Sequence, residues 1–285
     1  MNMMTHDTAV GMLVGLAVGD ALGAPLEFQD ALEPENYVTD FIEGGVHNVT
    51  LGEYTDDTAM ALALADAFIN NNGDFNAQDV MSNFVSWWKH GAFQTRGECF
   101  DIGNTTRSAL QGYSEDSIHP YRGVVGEYTA GNGALMRLAP AVIVSARPER
   151  AVELAVAQTV LTHGHHECTR YSGILAQELW RGVPLVMYAD EKHPTTISRE
   201  KVMTGGYVKD TYKAAWWAYQ TTDNFEDCIV KAVNRGHDSD TTGAVAGMLA
   251  GRNYGYSKIP SKYKNKLQDR DRIVSVAVEL FNLRK

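Results

Sequence analysis

Two short acidic stretches, far apart in the chain, each open an apolar run rich in small residues. Thr55-Asp56-Asp57-Thr58 stands at the head of "AMALALADAF", and Asp238-Ser239-Asp240-Thr241-Thr242 at the head of "GAVAGMLAG". One aspartate is enough to cap a helix, because one carboxylate can accept a bond from an unpaired first-turn N–H. A second acid adds repulsion, against which the helix dipole offers on the order of 1 kcal/mol. If both helices are central, Asp56, Asp57, Asp238 and Asp240 converge in a partly buried place and must take up protons or bind cations. Carboxylate and hydroxyl oxygens, with no Cys and little His, suit Mg2+, Mn2+ or Ca2+ better than zinc. Two such clusters can hold a pair of ions about 3.5–4 Å apart, a spacing that activates a water between them. Glu27, in "GDALGAPLEF", follows the first apolar helix into a loop and could act as acid or base. Read alone, it is an ordinary solvated glutamate.

Chemistry of this kind needs helices that can be buried on all sides. The first carries Gly11, Gly15, Gly19 and Gly23, and the later one Gly243, Gly247, Gly251 and Gly255, one every four residues. A glycine inside a helix costs about 1 kcal/mol relative to alanine, so such ladders make sense where another backbone approaches closely. A membrane dimerisation face shows the same spacing, but the runs are short and contain Asp20 and Arg252. The apolar run Ala9 to Gly19 is also read as too short to span a bilayer. The ladders therefore predict two central helices in close contact, with Asp20 and the 238–241 cluster deep in the molecule.

Periodicity and caps predict helices near 7–22, 57–70, 76–90, 104–112, 132–145, 148–161, 168–181, 209–220, 225–235, 241–250 and 271–283. Alternating strand-like runs are scarce and no hairpin signal separates two of them. The expected fold class is all-α: a compact single-domain helical bundle over residues 1–285. Segments 23–54, 91–103, 113–131 and 184–208 read as loops, where sites tend to sit. No period of 20–50 residues recurs, so this is not a repeat protein.

With 285 residues, 44% of them hydrophobic, the chain can bury a sizeable core. A formal net charge of −10 argues against nucleic acid or an anionic membrane held by general electrostatics. Three isolated cysteines, Cys99, Cys168 and Cys228, fit a reducing compartment better than a disulfide framework. The opening residues lack a basic signal-peptide region, and a soluble cytoplasmic protein is expected. "HGHH" (His163 to His166) lacks the spacing of a zinc protease site. The paired tryptophans 87–88 and 216–217 read as packing.

Five motifs in order, "GDALGAPLEF", "YTDDTAM", "FDIGNTTRSAL", "GNGALMRLAP" and "GHDSDTTGAVAGMLAG", resemble the ADP-ribosylglycohydrolases, over about residues 8–254. The resemblance implies a compact all-α fold of that type with two divalent cations, Mg2+ or Mn2+. It further implies hydrolysis of the bond joining ADP-ribose to a protein side chain, most of all arginine. By motif, Thr55, Asp56, Asp57, Asp238, Asp240 and Thr241 would be the metal ligands. Glu27 would position the attacking water, and Asp101 would stand by the ribose, although it could equally cap the helix near Asn104. Asn104, Gly131, Asn132, Gly133, Ala134, His163 and Tyr207 would line the substrate cleft, with the 131–134 turn against the diphosphate. The same site would fit a serine-, nucleobase- or acetyl-linked ADP-ribosyl bond. A catalytically silent binding protein on this fold is the remaining alternative, opposed by the intact Glu27 and six intact ligand positions.

Overall fold

The structure, a computed structural model, describes residues 3–183 and 197–285. Helix α1 (His6–Gly23) starts at Thr5, where Thr5 and Thr8 exchange side-chain and backbone bonds in a capping box. Every residue from Ala9 to Gly23 is buried. A helix that is apolar all round belongs at the centre of a core rather than on its surface. Its partner is α10 (Ser239–Tyr254), buried from Ser239 to Arg252, and among the described residues these two make the most extensive helix–helix contact.

The glycines explain how. A Cβ added at Gly11 would meet Gly251 O at 2.4 Å, one at Gly15 would meet Gly247 O at 2.3 Å, and one at Gly19 would meet Gly243 O at 1.9 Å. The two helices thus run antiparallel, backbone against backbone, with no space for a methyl group along the seam. At its end Ser239 Oγ donates to Gly23 O at 2.9 Å. Gly255 ends the ladder just beyond α10: it takes φ +84°, with its backbone still against Gly11 and its Cβ position against the Asp7 carboxylate.

Around this pair pack α2 (Asp56–Asn70), α3 (Ala77–His90), α4 (Asn104–Glu115), α5 (Ala139–Ile143), α6 (Pro148–Thr159), α7 (His166–Arg181), α8 (Val208–Gln220), α9 (Phe225–Val233), α11 (Ser261–Lys266) and α12 (Arg270–Asn282). The fold is all-α as expected; among the described residues β structure is confined to three isolated bridges, Gly44 with Val49, Val124 with His163 and Gly131 with Tyr207. Trp87, Trp216 and Trp217 are buried in the core, and Trp88 packs against it.

Three expectations need correction. The helix anticipated over 132–145 is a set of turns followed by the short α5. Pro140 lacks the N–H that a continuous helix would bond to the Met136 carbonyl. Arg137 is instead drawn into the core, where its guanidinium donates to Gln158 and Thr162 and lies 4.5 Å over the Phe84 ring. Secondly, α1 with its following turn, His6–Leu26, is long and apolar enough to cross a membrane, so shortness is no argument; its apolar stretch, Ala9 to Leu26, is buried within the protein. Thirdly, α11 has no forerunner in the periodicity, because "SKYKNK" offers only Tyr263 to the core. Of the expected loop 184–208, residues 184–196 lie outside the described residues.

Candidate active site

Helix α2 is capped by a residue from another helix. Asp20, fully buried on α1, accepts the Thr55 and Thr58 amides through Oδ1 and Oδ2 at 2.9 and 3.0 Å, and both hydroxyls at 3.0 and 2.6 Å. Those two amides belong to the N-cap and third positions of α2, the donors that a capping box would satisfy. Asp56 and Asp57 are left free of capping work. At α10 the N-cap Asp238 makes no side-chain cap either; its Oδ2 accepts Asn132 Nδ2 at 2.9 Å.

The freed acids converge. Thr55 Oγ lies 3.0 Å from Asp20 Oδ1, 3.2 Å from Asp57 Oδ2 and 3.2 Å from Asp240 Oδ2, and Thr241 Oγ lies 3.3 Å from Asp57 Oδ2. One hydroxyl proton cannot serve three carboxylates at once. Asp57 Oδ1 and Asp240 Oδ1 are buried with no protein partner at all. Burial, and then the mutual repulsion of the acids, pushes Asp56, Asp57 and Asp240 well above the ordinary carboxylate range. Burial also lifts Asp20 to about 6, against four hydrogen bonds that pull it down. Ligand oxygens of Asp20, Asp57 and Asp240 lie within 4.8 Å of one another, as do those of Asp56, Asp101 and Asp240. Two overlapping oxygen groups that share Asp240, with unpartnered buried oxygens between them, fit hard divalent cations. Asp20 was expected to be deep but not to belong to this cluster.

Beside the acids stand Glu27 and Asp101, joined by a residue the sequence did not single out. His47 Nε2 is 2.6 Å from Glu27 Oε2 and 3.2 Å from Asp101 Oδ1. Hydrogen bonds to Asp101 and Glu27 hold the imidazole up at about 10. Burial raises Glu27 to about 7, with the His47 bond opposing and the Asp101 charge adding. Asp101 is no helix cap, since Gly103 occupies that place in α4 without any side-chain bond. Three non-glycine residues around the site take left-handed backbone angles: Phe28 (φ 59°), Asp101 (φ 61°) and His237 (φ 56°). Such conformations cost on the order of 1–3 kcal/mol and hold only where neighbours enforce them. Here Phe28 N donates to His237 O at 2.7 Å and His237 N to Gln29 O at 2.8 Å, tying the two loops together.

A cavity of about 670 Å3 opens above this centre, walled by Glu27, Asp56, Asp101, Asp238, Asp240 and Thr241. Thr55 and Asp57 lie just beneath its floor, fully buried. Of the expected cleft residues, Asn104, Gly131, Asn132, Gly133 and His163 also line it. Ala134 does not: it is buried, and its carbonyl accepts Gln158 Nε2 at 2.8 Å. Tyr207 lines an adjoining pocket with Tyr128 and Glu167, to whose carboxylate its hydroxyl donates. The Asn132 amide is bonded to Gly206 O at 3.1 Å and so is not open to an anion. His163 keeps its imidazole neutral, because burial and the nearby Arg137 charge push it down to about 3. His165 caps α7 by accepting the Glu167 amide. Nothing in the loop "EGGVHNVTLGEY" marks His47; only the chain's return to the site makes it visible.

An all-helical fold that gathers acid–hydroxyl clusters from two helix N-termini beneath an open cavity defines the class of protein. The chain belongs to the ADP-ribosylglycohydrolase family, whose model matches residues 1–183 and 176–285. It is similar to ADP-ribosylarginine hydrolase Tri1 of Pseudomonas putida (strain GB-1), 36% identical over 296 residues that cover 97% of this chain and 78% of that protein. It is also similar to the ADP-ribosyl-[dinitrogen reductase] glycohydrolase of Rhodospirillum rubrum, 33% identical, with 92% and 90% covered. A solved ADP-ribosylglycohydrolase-related protein complex superposes with a TM-score of 0.84 at 33% identity, over 98% of this chain and 99% of that one.

Proposed function

We propose that the protein is a hydrolase that removes ADP-ribose from ADP-ribosylated protein side chains, arginine first among them, using two divalent cations, Mg2+ or Mn2+. The observation that carries this reading is the pair of buried, unpartnered carboxylate oxygens on Asp57 and Asp240 beneath a cavity walled by Glu27 and Asp101. The arginine linkage draws support from the names of the relatives.

Thr55, Asp56, Asp57, Asp238, Asp240 and Thr241 would hold the cations, which would supply a polarised water and a grip on the ribose hydroxyls. Glu27, lifted toward neutrality by burial, takes the proton of that water as it attacks the anomeric carbon. Asp101 faces the positive charge that develops on the ribose as its bond to the side-chain nitrogen breaks. A new C–O bond forms, the C–N bond breaks with its electron pair going to the guanidine nitrogen, and that nitrogen receives the proton that Glu27 took from the water. Asn104, Gly131, Asn132, Gly133 and His163 shape the cavity for ribose and diphosphate, and Tyr207 stands at the adjoining pocket. Asn132 has a second task, since its side chain orients Asp238.

The test is release of free ADP-ribose from a panel of arginine-, serine-, nucleobase- and acetyl-linked substrates. Release from the arginine substrate at least about tenfold faster than from the others is expected. Preference for another linkage would move the assignment within the family. Tight ADP-ribose binding with no release from any substrate would leave a binding protein.

A further inference from the structure

Glu27 and Asp101 come from different loops and share a cavity wall. Two carboxylates so placed drive each other apart, or one takes a proton, unless a donor stands between them. His47 is that donor: its Nε2 reaches Glu27 Oε2 at 2.6 Å and Asp101 Oδ1 at 3.2 Å.

The imidazole is itself held from behind. Arg96 Nη1 donates to the His47 carbonyl at 3.2 Å, while its Nε and Nη2 grip the two oxygens of Glu53 at 2.7 Å each. Glu53 also accepts the Thr50 amide at 2.8 Å and the Thr95 hydroxyl at 3.0 Å, and it is almost fully buried. The same guanidinium lies 3.9 Å over the ring of Phe100, whose centroid is 5.5 Å from that of His47. Phe100 directly precedes Asp101. One arginine therefore fixes both the loop that brings His47 and the loop that brings Asp101.

We propose that His47 is a positioning residue for hydrolysis: its Nε2–H donates to Glu27 and holds it toward the water, its close contact keeps Asp101 by the ribose, and the Glu53–Arg96–Phe100 clamp keeps it in place. This rests on the hydrolase reading above. A carboxylate free to swing by an ångström loses much of its catalytic effect, on the order of a hundredfold in unfavourable cases.

The experiment compares wild type, His47→Leu and His47→Gln on an ADP-ribosylarginine substrate. Leucine keeps bulk but has no N–H, whereas the glutamine Nε2 reaches about as far as the imidazole Nε2. His47→Leu should lose at least about tenfold in kcat, with KM, ADP-ribose Kd and the Mn2+-induced rise in Tm all within about twofold of wild type, and His47→Gln should recover most of the loss. An active wild type with an unimpaired His47→Leu would overturn the positioning role alone. So would equal losses in both variants, since the glutamine N–H would then have restored nothing. A wild type that releases no ADP-ribose overturns the hydrolase reading and the positioning role with it.

Discussion

Asp57 and Asp240 each spend one carboxylate oxygen on threonine hydroxyls and leave the other without a protein partner. Without cations these acids repel one another in a buried place, and anything that binds only the folded state offsets that strain. Asp57→Asn and Asp240→Asn remove a charge at nearly constant volume. Each is expected to leave the chelated protein as stable as wild type or more so, and to cut the Tm gain on adding millimolar Mn2+. Equal gains in all three proteins would sink the paired-cluster reading. Glu27 does different work, since it moves a proton and holds no cation in this scheme. Glu27→Gln should therefore lower kcat by at least about a hundredfold with little change in ADP-ribose Kd. Steady-state kinetics beside calorimetric titration of ADP-ribose would check both halves. Near-normal turnover would transfer the base to Asp101.

The glycine seam sets the frame on which these residues sit. Gly19→Ala would place a methyl group 1.9 Å from Gly243 O, and backbone cannot step aside as a side chain can. We expect a loss of about 3 kcal/mol or more, or failure to fold. Gly205→Ala, where nothing lies within 4 Å, should stay within about 0.5 kcal/mol of wild type by denaturant melts. The loop clamp is open to a pH test. Burial alone would raise Glu53, but the Arg96, Thr50 and Thr95 donors overcome it and hold the carboxyl at about 2, below its ordinary 4.5. A depressed folded pKa gives stability that is complete above the unfolded value and is lost as pH falls through 4.5 toward 2. Wild type should keep a constant Tm advantage over Glu53→Gln down to about pH 5 and lose it below.

What the sequence makes legible follows from the same division. The ladders announce α1 and α10 because only close backbones justify so many helical glycines. The acid clusters announce themselves because their charges are adjacent in the chain. Asp20 as the cap of α2 and His47 as the bridge between Glu27 and Asp101 depend on contacts 20 to 38 residues away and more, across loops with no periodic signal. Pro140 was readable as a helix breaker, yet the apolar run around it favoured a longer helix than the one formed.

At the scale of the whole molecule, a chain of net charge −10 concentrates buried acids at its centre, so cations should govern both activity and melting. Turnover should vanish on exhaustive chelation and return with Mg2+ or Mn2+ but not with Zn2+ alone, as an all-oxygen site dictates; full turnover after chelation would remove the cation reading. The seam carries a further consequence, one of time. Gly23 and Ser239, which close it, are 216 residues apart in the chain. At about 5–20 residues per second of synthesis, α1 emerges roughly ten to forty seconds before its partner exists. During that interval this helix, apolar and long enough to pass for a membrane span, has no surface on which to bury its glycine face. A chain ending at residue 238 should be insoluble or chaperone-bound and lack the cooperative melt of the full-length protein, by sedimentation and circular dichroism. The nascent protein thus waits for about its last sixth before its first helix can be folded away, and half of the acidic centre arrives with the same helix that ends the wait.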